Sequence, residues 1–167
     1  MIAALNYILA LIACISGLFL GIIVSLLAQE ELKDGKKYFK LIQNIIIVLV
    51  LFFVMEFYQI NIYLSLAVSA VLLFLLFYLK TLNREKRDFI IYPLFGIVFF
   101  LLKDSQLILV TGSLIFIYSL LSAGIFSEER MKKNKIQFKQ AIQKLLICAG
   151  LFVCVAVILL ISQIYLF

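Results

Sequence analysis

The amino-acid sequence predicts an all-α polytopic integral membrane protein with six transmembrane helices. Of its 167 residues, 66% are apolar, and the mean hydropathy is +1.20. Soluble domains are roughly 45–50% apolar, and a small domain leaves much of its surface in water. The charged residues are confined to short breaks between long apolar runs. We therefore expect one transmembrane domain, 1–167, and no soluble domain.

Run length predicts that each apolar segment is a helix. A span needs about 20 apolar residues, and every backbone polar group inside lipid must be hydrogen-bonded within the protein. The fourth run is the shortest and contains the only proline, Pro93. We expect it to be a short or kinked span, with a re-entrant segment as the alternative. The six predicted helices are 2–28, 39–57, 60–80, 89–103, 107–126 and 141–166.

The positions of the basic residues predict the orientation of the chain. Fourteen of the 15 basic residues lie at the first, third and fifth breaks, and Lys103 lies at another break. By the positive-inside rule those three breaks are cytoplasmic, so both termini are predicted on the non-cytoplasmic side. We expect a cell membrane, with a prokaryotic plasma membrane favoured. These positions also explain the net charge of +6, so no nucleic-acid partner is expected.

Two cytoplasmic breaks share a sequence pattern. "EELKDGKKYFK", 30–40, aligns without a gap to "ERMKKNKIQFK", 129–139, as E-x-[LM]-K-x-[GN]-K-x-x-F-K. Gly and Asn readily adopt the left-handed conformation that ends a helix. We interpret each copy as a turn between two helices. The equivalent residues are Glu30, Gly35, Lys36 and Phe39 in the first copy, and Glu129, Asn134, Lys135 and Phe138 in the second.

The shared pattern suggests a repeat of helix hairpins. Asn83 in the middle cytoplasmic break lies 48 residues after Gly35 and 51 before Asn134. The sequence thus predicts three hairpin units, 1–57, 58–106 and 107–167. The alternative is that every cytoplasmic turn attracts Glu, Lys and Gly or Asn without any repeat.

Small residues recur every four positions along the first helix, at Ala13, Gly17, Gly21 and Ser25. In a membrane such spacing lets a second helix approach closely. The partner is expected to be another helix of this chain, with another membrane protein or a second copy as the alternative.

Polar residues within or beside the spans are few. Gln43 and Asn44 are expected either to line a cytoplasmic vestibule or to bond to neighbouring helices. Glu56, Lys103 and Asp104 are expected either to form an external polar cluster or to be interfacial residues in water. We expect essentially no ionisable residue deep inside a span, where such a residue would mark a functional site.

The sequence offers no catalytic, metal-binding or cofactor-binding residues. There is no histidine and no glycine-rich phosphate loop, and Cys14, Cys148 and Cys154 lie inside apolar runs. We therefore expect a non-enzymatic subunit, scaffold or assembly factor whose partner is the lipid bilayer, with another membrane protein or a second copy docked on the first helix as the alternative to contact within the chain. One alternative is a small-solute transporter or channel, or the substrate-binding subunit of a transporter. Another is a lipid-modifying enzyme using Glu30, Glu31, Glu128 or Glu129.

Overall fold

The computed structural model describes residues 2–78, 84–102, 105–131 and 135–166. Their regular structure is entirely α-helical, which confirms the predicted class. Four helices, the first, second, fifth and sixth, are long and apolar enough to cross a membrane, and the third and fourth have shorter apolar segments. The helices are α1 (Ile2–Leu27), α2 (Gln29–Phe57), α3 (Ile62–Tyr78), α4 (Arg84–Leu101), α5 (Ser105–Met131) and α6 (Lys135–Leu166).

Helix α5 is the helix against which most of the others pack. It contacts α1, α2, α4 and α6, and its contact with α1 is the most extensive in the described chain. More than half of the apolar segment of α5 is buried, a larger share than in α1, α2 or α6. The core is therefore built around α5, and exposed apolar side chains lie on the outer faces of the surrounding helices.

Glycines in α1 allow it to approach α5 closely. A Cβ atom added to Gly17 would lie 2.5 Å from the carbonyl oxygen of Phe116, and one added to Gly21 would meet the carbonyl of Leu120. Real Cβ atoms are not found so close to backbone oxygens, so side chains at these positions would push the helices apart. The two contacts advance together along both helices, which shows that α1 and α5 run parallel.

Helices α4 and α6 also run parallel and in close contact. A Cβ atom added to Gly96 would lie 2.8 Å from the carbonyl oxygen of Phe152. The ring of Phe99 contacts that of Phe152 at 6.1 Å and that of Tyr7 at 4.9 Å between centroids. Phe99 lies near the end of α4 and Tyr7 near the start of α1. The end of α4 thus lies beside the start of α1. Because α4 and α6 run parallel, their starts lie together at the opposite end of the bundle.

The predicted turn at Gly35 is wrong, because residues 29–57 form one continuous helix. The chain breaks at Ala28, ahead of the charged stretch, where φ is −125° and ψ is 51°. The stretch is rich in Glu, Leu and Lys, which favour helix, and one internal glycine costs only about 1 kcal/mol. Gly35 instead makes room for an aromatic ring, since an added Cβ would lie 2.7 Å from the ring of Phe39.

The two aligned motifs do not occupy equivalent places in the fold. Helix α5 ends at Met131 and α6 begins at Lys135, so the predicted cap Asn134 lies outside the described residues. Helix α5 ends within the second motif, whereas the whole of the first motif lies inside α2. Lys36 and Phe39 belong to α2, and Phe138 to α6.

Four of the predicted helices are longer in the structure than the apolar runs suggested. Helix α2 starts ten residues before predicted residue 39, α4 starts at Arg84 and not 89, α5 continues to Met131, and α6 starts at Lys135 and not 141. The charged flanks contain many strong helix formers, and backbone hydrogen bonding continues through them. Apolar content therefore indicates the lipid-facing length of a helix but not its ends.

The left-handed residue that ends α2 is Gln59, with φ of 52°. Its N–H donates to the carbonyl of Glu56 at 2.9 Å, and the N–H of Ile60 donates to that of Met55 at 3.2 Å. These two bonds form a Schellman motif, in which the left-handed position is usually glycine. The Asn61 side chain then accepts the N–H of Tyr63 at 3.0 Å and caps α3.

We predict that Gly21→Leu destabilises the protein because it forces α1 away from α5. Overpacking of this kind costs about 1–3 kcal/mol, so the variant should unfold at a lower temperature in detergent. Gly150→Leu is the matched control, since nothing lies within 4 Å of a Cβ added there. Equal unfolding temperatures for the two variants would contradict the close α1–α5 contact.

We predict that Gln59→Gly stabilises the protein, because glycine relieves the left-handed conformation at the end of α2. That conformation costs a residue with a Cβ atom roughly 1–2 kcal/mol, part of which glycine loses again through its greater freedom in the unfolded chain. The thermal midpoint in detergent should rise for Gln59→Gly and remain near wild type for Gln59→Ala. A fall with Gln59→Gly would show that the Gln59 side chain contributes more than its backbone costs.

Candidate functional site

A buried carboxylate lies where the sequence predicted none. Asp88 is the fifth residue of α4 and is 4% exposed. The predicted helix began at 89, which placed Asp88 in a cytoplasmic turn, whereas in the structure Asp88 is buried near the start of α4. The first turns of a helix favour a negative charge, because the peptide dipoles point their positive ends there.

Two hydroxyl groups on α5 bind the Asp88 carboxylate. The Tyr118 hydroxyl donates to Oδ1 at 3.0 Å, and the Ser122 hydroxyl donates to Oδ2 at 2.7 Å. Tyr118 and Ser122 are four residues apart and therefore lie on one face of α5. Hydrogen bonds to a charged acceptor are short and strong, and they offset part of the cost of burying it.

Tyr92 completes this group, which we call the Asp88 cluster: Asp88, Tyr92, Tyr118, Ser119 and Ser122. Tyr92 is four residues after Asp88 on α4 and 1% exposed, and its ring contacts that of Tyr118 edge-on at 6.0 Å. Its hydroxyl lies near Ser119 and Ser122 but has no partner with hydrogen-bond geometry among the described residues. The cluster thus holds a buried donor close to its carboxylate.

A cavity of about 550 Å³ opens beside the cluster. Its rim includes Phe89, Ile90 and Ile147, all about half exposed, so the cavity is open at the side of the bundle. Among the described residues that line the cavity, three carry a polar side-chain group: Asp88, Lys144 and Cys148. The described lining residues are Asp88, Phe89 and Ile90 from α4, Phe126 from α5, and Lys144, Leu145, Ile147 and Cys148 from α6.

A second cavity, of about 240 Å³, lies on the other flank of α6, between α6 and α1. The described residues that line it are all apolar, and Leu145 lines both cavities. Both cavities belong to the end of the bundle where α4 and α6 start. The segments rich in Lys and Arg join the helices at this same end.

Pro93 lies five residues after Asp88 inside α4. Proline has no N–H, so the carbonyl of Phe89 lacks its intrahelical donor. Phe89 lines the large cavity. The Phe89 carbonyl is therefore a second oxygen acceptor on α4, one residue after Asp88 in the sequence.

The structure does not bring the residues singled out from the sequence together into one site. Gln43 and Asn44 are buried in α2 and line neither of the two cavities. Glu30 and Glu56 are exposed. Lys103 and Asp104 lie outside the described residues, as does the side chain of Glu129.

The residues of the α1 stripe differ in their surroundings. Gly17 and Gly21 contact α5 of the same chain. Ser25 is buried and donates its hydroxyl hydrogen to the Ile22 carbonyl at 2.7 Å, whereas Ala13 is exposed.

The sequence contained a signal for the Asp88 cluster. Asp88 and Tyr92 are four residues apart, as are Tyr118 and Ser122, so each pair presents polar groups on one helix face. Tyr118 is also the one tyrosine that lies in the middle of an apolar run. What the sequence could not show is that α4 and α5 bring the two pairs together.

Comparison with models of protein families, with curated proteins and with solved structures finds no match to this chain. Within the described part of the chain, no three Cys, Asp or Glu side chains are grouped so that they could hold a metal ion.

We predict that Ser122→Ala destabilises the protein by about 1–3 kcal/mol, because the buried Asp88 carboxylate loses a hydrogen bond. Ser113→Ala is the matched control on the same helix, since Ser113 is exposed and its hydroxyl bonds only the Leu109 carbonyl one turn earlier. Thermal unfolding in detergent should separate the two variants. A midpoint for Ser122→Ala that equals that of Ser113→Ala would contradict a structural role for the bond.

Proposed function

We propose that this chain is a small, non-enzymatic polytopic membrane subunit that binds an amphipathic molecule in the Asp88 cavity. The observation that carries the proposal is a buried carboxylate, oriented by two hydroxyl groups, on the wall of a cavity whose described lining is mostly apolar. Ligand sites in proteins typically combine apolar walls with a few placed polar groups and enclose about 300–1,000 Å³. An ionisable residue among membrane helices is costly to keep and usually serves a function.

Two observations favour binding over conduction. The interior around α5 is filled by aromatic side chains, including Phe95, Phe99, Tyr118 and Phe152, each at most 2% exposed. Gln43 and Asn44, which were the candidates for lining a vestibule, are buried in α2 and are not among the described residues that line the Asp88 cavity. The Asp88 cavity instead opens sideways through exposed apolar side chains, as suits a ligand that enters from the bilayer.

We also propose that all six helices cross the membrane, with both termini outside a prokaryotic plasma membrane. Helix α4 has 18 residues and is therefore about 27 Å long, close to the ~30 Å of the hydrocarbon core. It runs parallel to α6 along its length, and the Tyr58 hydroxyl beyond α2 donates to the Leu101 carbonyl at 3.2 Å. This contact joins the ends of α2 and α4, as alternating spans require.

In this topology the Asp88 cavity faces the cytoplasmic leaflet, because the starts of α4 and α6 adjoin the basic segments. The parallel pairing of α1 with α5 also supports two hairpin units, 1–57 and 107–167, inserted in the same direction. The turn positions within their shared motif differ, so the proposed repeat concerns helix order and not the motif residues.

We predict that the purified wild-type protein retains a bound amphipathic molecule and that Ile147→Trp abolishes this retention. The larger side chain at Ile147 would fill the cavity that this residue lines. Native mass spectrometry of protein extracted from host membranes in mild detergent measures the retained mass. Ile158→Trp is the control on the same helix, because Ile158 is 63% exposed and lines neither cavity.

Retention that is lost with Ile147→Trp and kept with Ile158→Trp supports the proposal. Retention equal in both variants would mean that the molecule binds elsewhere. A wild-type protein that carries no adduct, even after incubation with host lipid extract, would overturn the proposal.

A further inference from the structure

We infer that the second cavity, between α1 and α6, binds one acyl chain of an anionic phospholipid. We call this cavity the α1–α6 groove. Its described lining comes from about two turns of each helix, Leu18–Ile23 of α1 and Ile142–Ala149 of α6. The inference concerns a site other than the Asp88 cavity and does not require a ligand there.

The groove is suited to a hydrocarbon chain. The described residues that line it are all apolar, and its volume is about 240 Å³. Apolar cavities of roughly 150 Å³ already stay dry and take up small apolar molecules, whereas a polar group placed inside would lose its hydrogen bonds to water. Leu18, Leu145 and Ala149 form the most buried part of the wall, each at most 6% exposed. A chain seated against them gains dispersion contacts that an empty groove lacks.

The groove opens on the outer surface of the bundle. Phe19, Ile23 and Leu146 lie at its rim, and each is about half exposed. One turn of a helix, about 10 Å wide and 5.4 Å long, occupies more volume than the groove, so a helix of a partner protein is too large for it. A single acyl chain is narrow enough and enters directly from the bilayer.

The packing of α1 keeps the groove open. Gly17 and Gly21 hold α1 against the backbone of α5, while Leu18 and Ile22 lie on the adjoining face of α1 and line the groove. The contact between α1 and α6 is much less extensive than that between α1 and α5. Closing the groove would therefore require α1 to give up its close contact with α5.

The depth of the groove places the chain in one leaflet. Leu18 and Ile23 precede Leu27, the last residue of α1, by nine and four residues, which corresponds to about 14 and 6 Å along the helix. The hydrocarbon core of a bilayer is about 30 Å thick, so each leaflet contributes about 15 Å. The chain therefore belongs to the leaflet at the end of α1, where the first basic segment follows.

The net charge at this end of the bundle favours an anionic headgroup. The first, third and fifth breaks together hold fourteen basic and seven acidic residues, whereas the remaining breaks hold one basic and two acidic residues. Basic residues beside a membrane span attract anionic lipids through their field, by a factor of about five for each Lys or Arg near the surface. This attraction needs no particular hydrogen bond. The basic segments thus select the headgroup while the groove holds the chain.

The test uses the absence of tryptophan from the chain. Phe19→Trp introduces a single fluorophore at the rim of the groove. Phe74→Trp is the matched reporter on α3, because Phe74 is 72% exposed and is not among the described residues that line the groove. Each full-length variant is reconstituted in phosphatidylcholine vesicles that contain increasing fractions of a phospholipid with brominated acyl chains, which quench tryptophan on contact.

The headgroup of the brominated lipid is either phosphatidylglycerol or phosphatidylcholine, with identical chains. We expect brominated phosphatidylglycerol to half-quench Phe19→Trp at about a fivefold lower fraction than brominated phosphatidylcholine, as one nearby basic residue suffices to produce. The two lipids should quench Phe74→Trp alike.

Salt separates the attraction of the headgroup from the binding of the chain. At about 1 M salt the Debye length falls to about 3 Å, so the phosphatidylglycerol preference of Phe19→Trp should fall while quenching by both lipids remains.

Ala149→Leu in the Phe19→Trp background extends a wall side chain into the groove. It should lower quenching by brominated phosphatidylglycerol to the level seen with Phe74→Trp. Ala67→Leu, at an exposed position on α3, is its control and should change nothing. If Ala149→Leu does not fold, the reporter comparison and the salt dependence decide the question.

Four results would overturn the inference: equal half-quenching fractions of the two lipids for Phe19→Trp, the same phosphatidylglycerol preference in both reporters, a preference that salt leaves unchanged, or undiminished quenching in a folded Ala149→Leu variant. Ligand retention in the Asp88 cavity is measured separately with Ile147→Trp. Failure of this inference therefore leaves the proposed function standing, and loss of the proposed function leaves the groove untouched.

Discussion

The close contact between α1 and α5 is the basis of the rest of the architecture. Gly17 and Gly21 bring the backbone of α1 against the carbonyls of Phe116 and Leu120. In lipid the hydrophobic effect does not drive helices together, so association depends on close packing and on polar contacts between helices. With one side of α5 covered by α1, its remaining surface packs against α2, α4 and α6.

The position of α4 depends on polar contacts as well as on packing. Its Gly96 lies against Phe152 of α6, and its Asp88 binds two hydroxyls of α5. Buried ionic groups and their partners can often be replaced by well-packed apolar side chains without a loss of stability. This is one reason for the proposal that the buried carboxylate serves a ligand, and the adjoining cavity offers the space for one.

Predictions about local backbone conformation were less successful than those about composition. Gly35 was expected to end a helix but lies inside α2, while Gln59 has the left-handed conformation that glycine usually adopts. Both outcomes follow from the competition between local preference and helix continuation. A single glycine costs about 1 kcal/mol within a helix, which flanking helix formers and the contact with Phe39 can offset, whereas the short 58–61 connection requires a reversal whatever residue is there.

Composition and run length were enough to predict a helical protein with helices long and apolar enough to cross a membrane, because apolar content and backbone hydrogen bonding leave few alternatives for such a chain. Glycine spacing pointed to close packing of α1, but the identity of the contacted helix depends on the tertiary arrangement. The candidate site was decided by that arrangement alone. Asp88 and Ser122 are 34 residues apart, and neither is unusual in its own segment. Only the packing of α4 and α6 beside α5 buries the carboxylate, supplies its donors and leaves a cavity next to it.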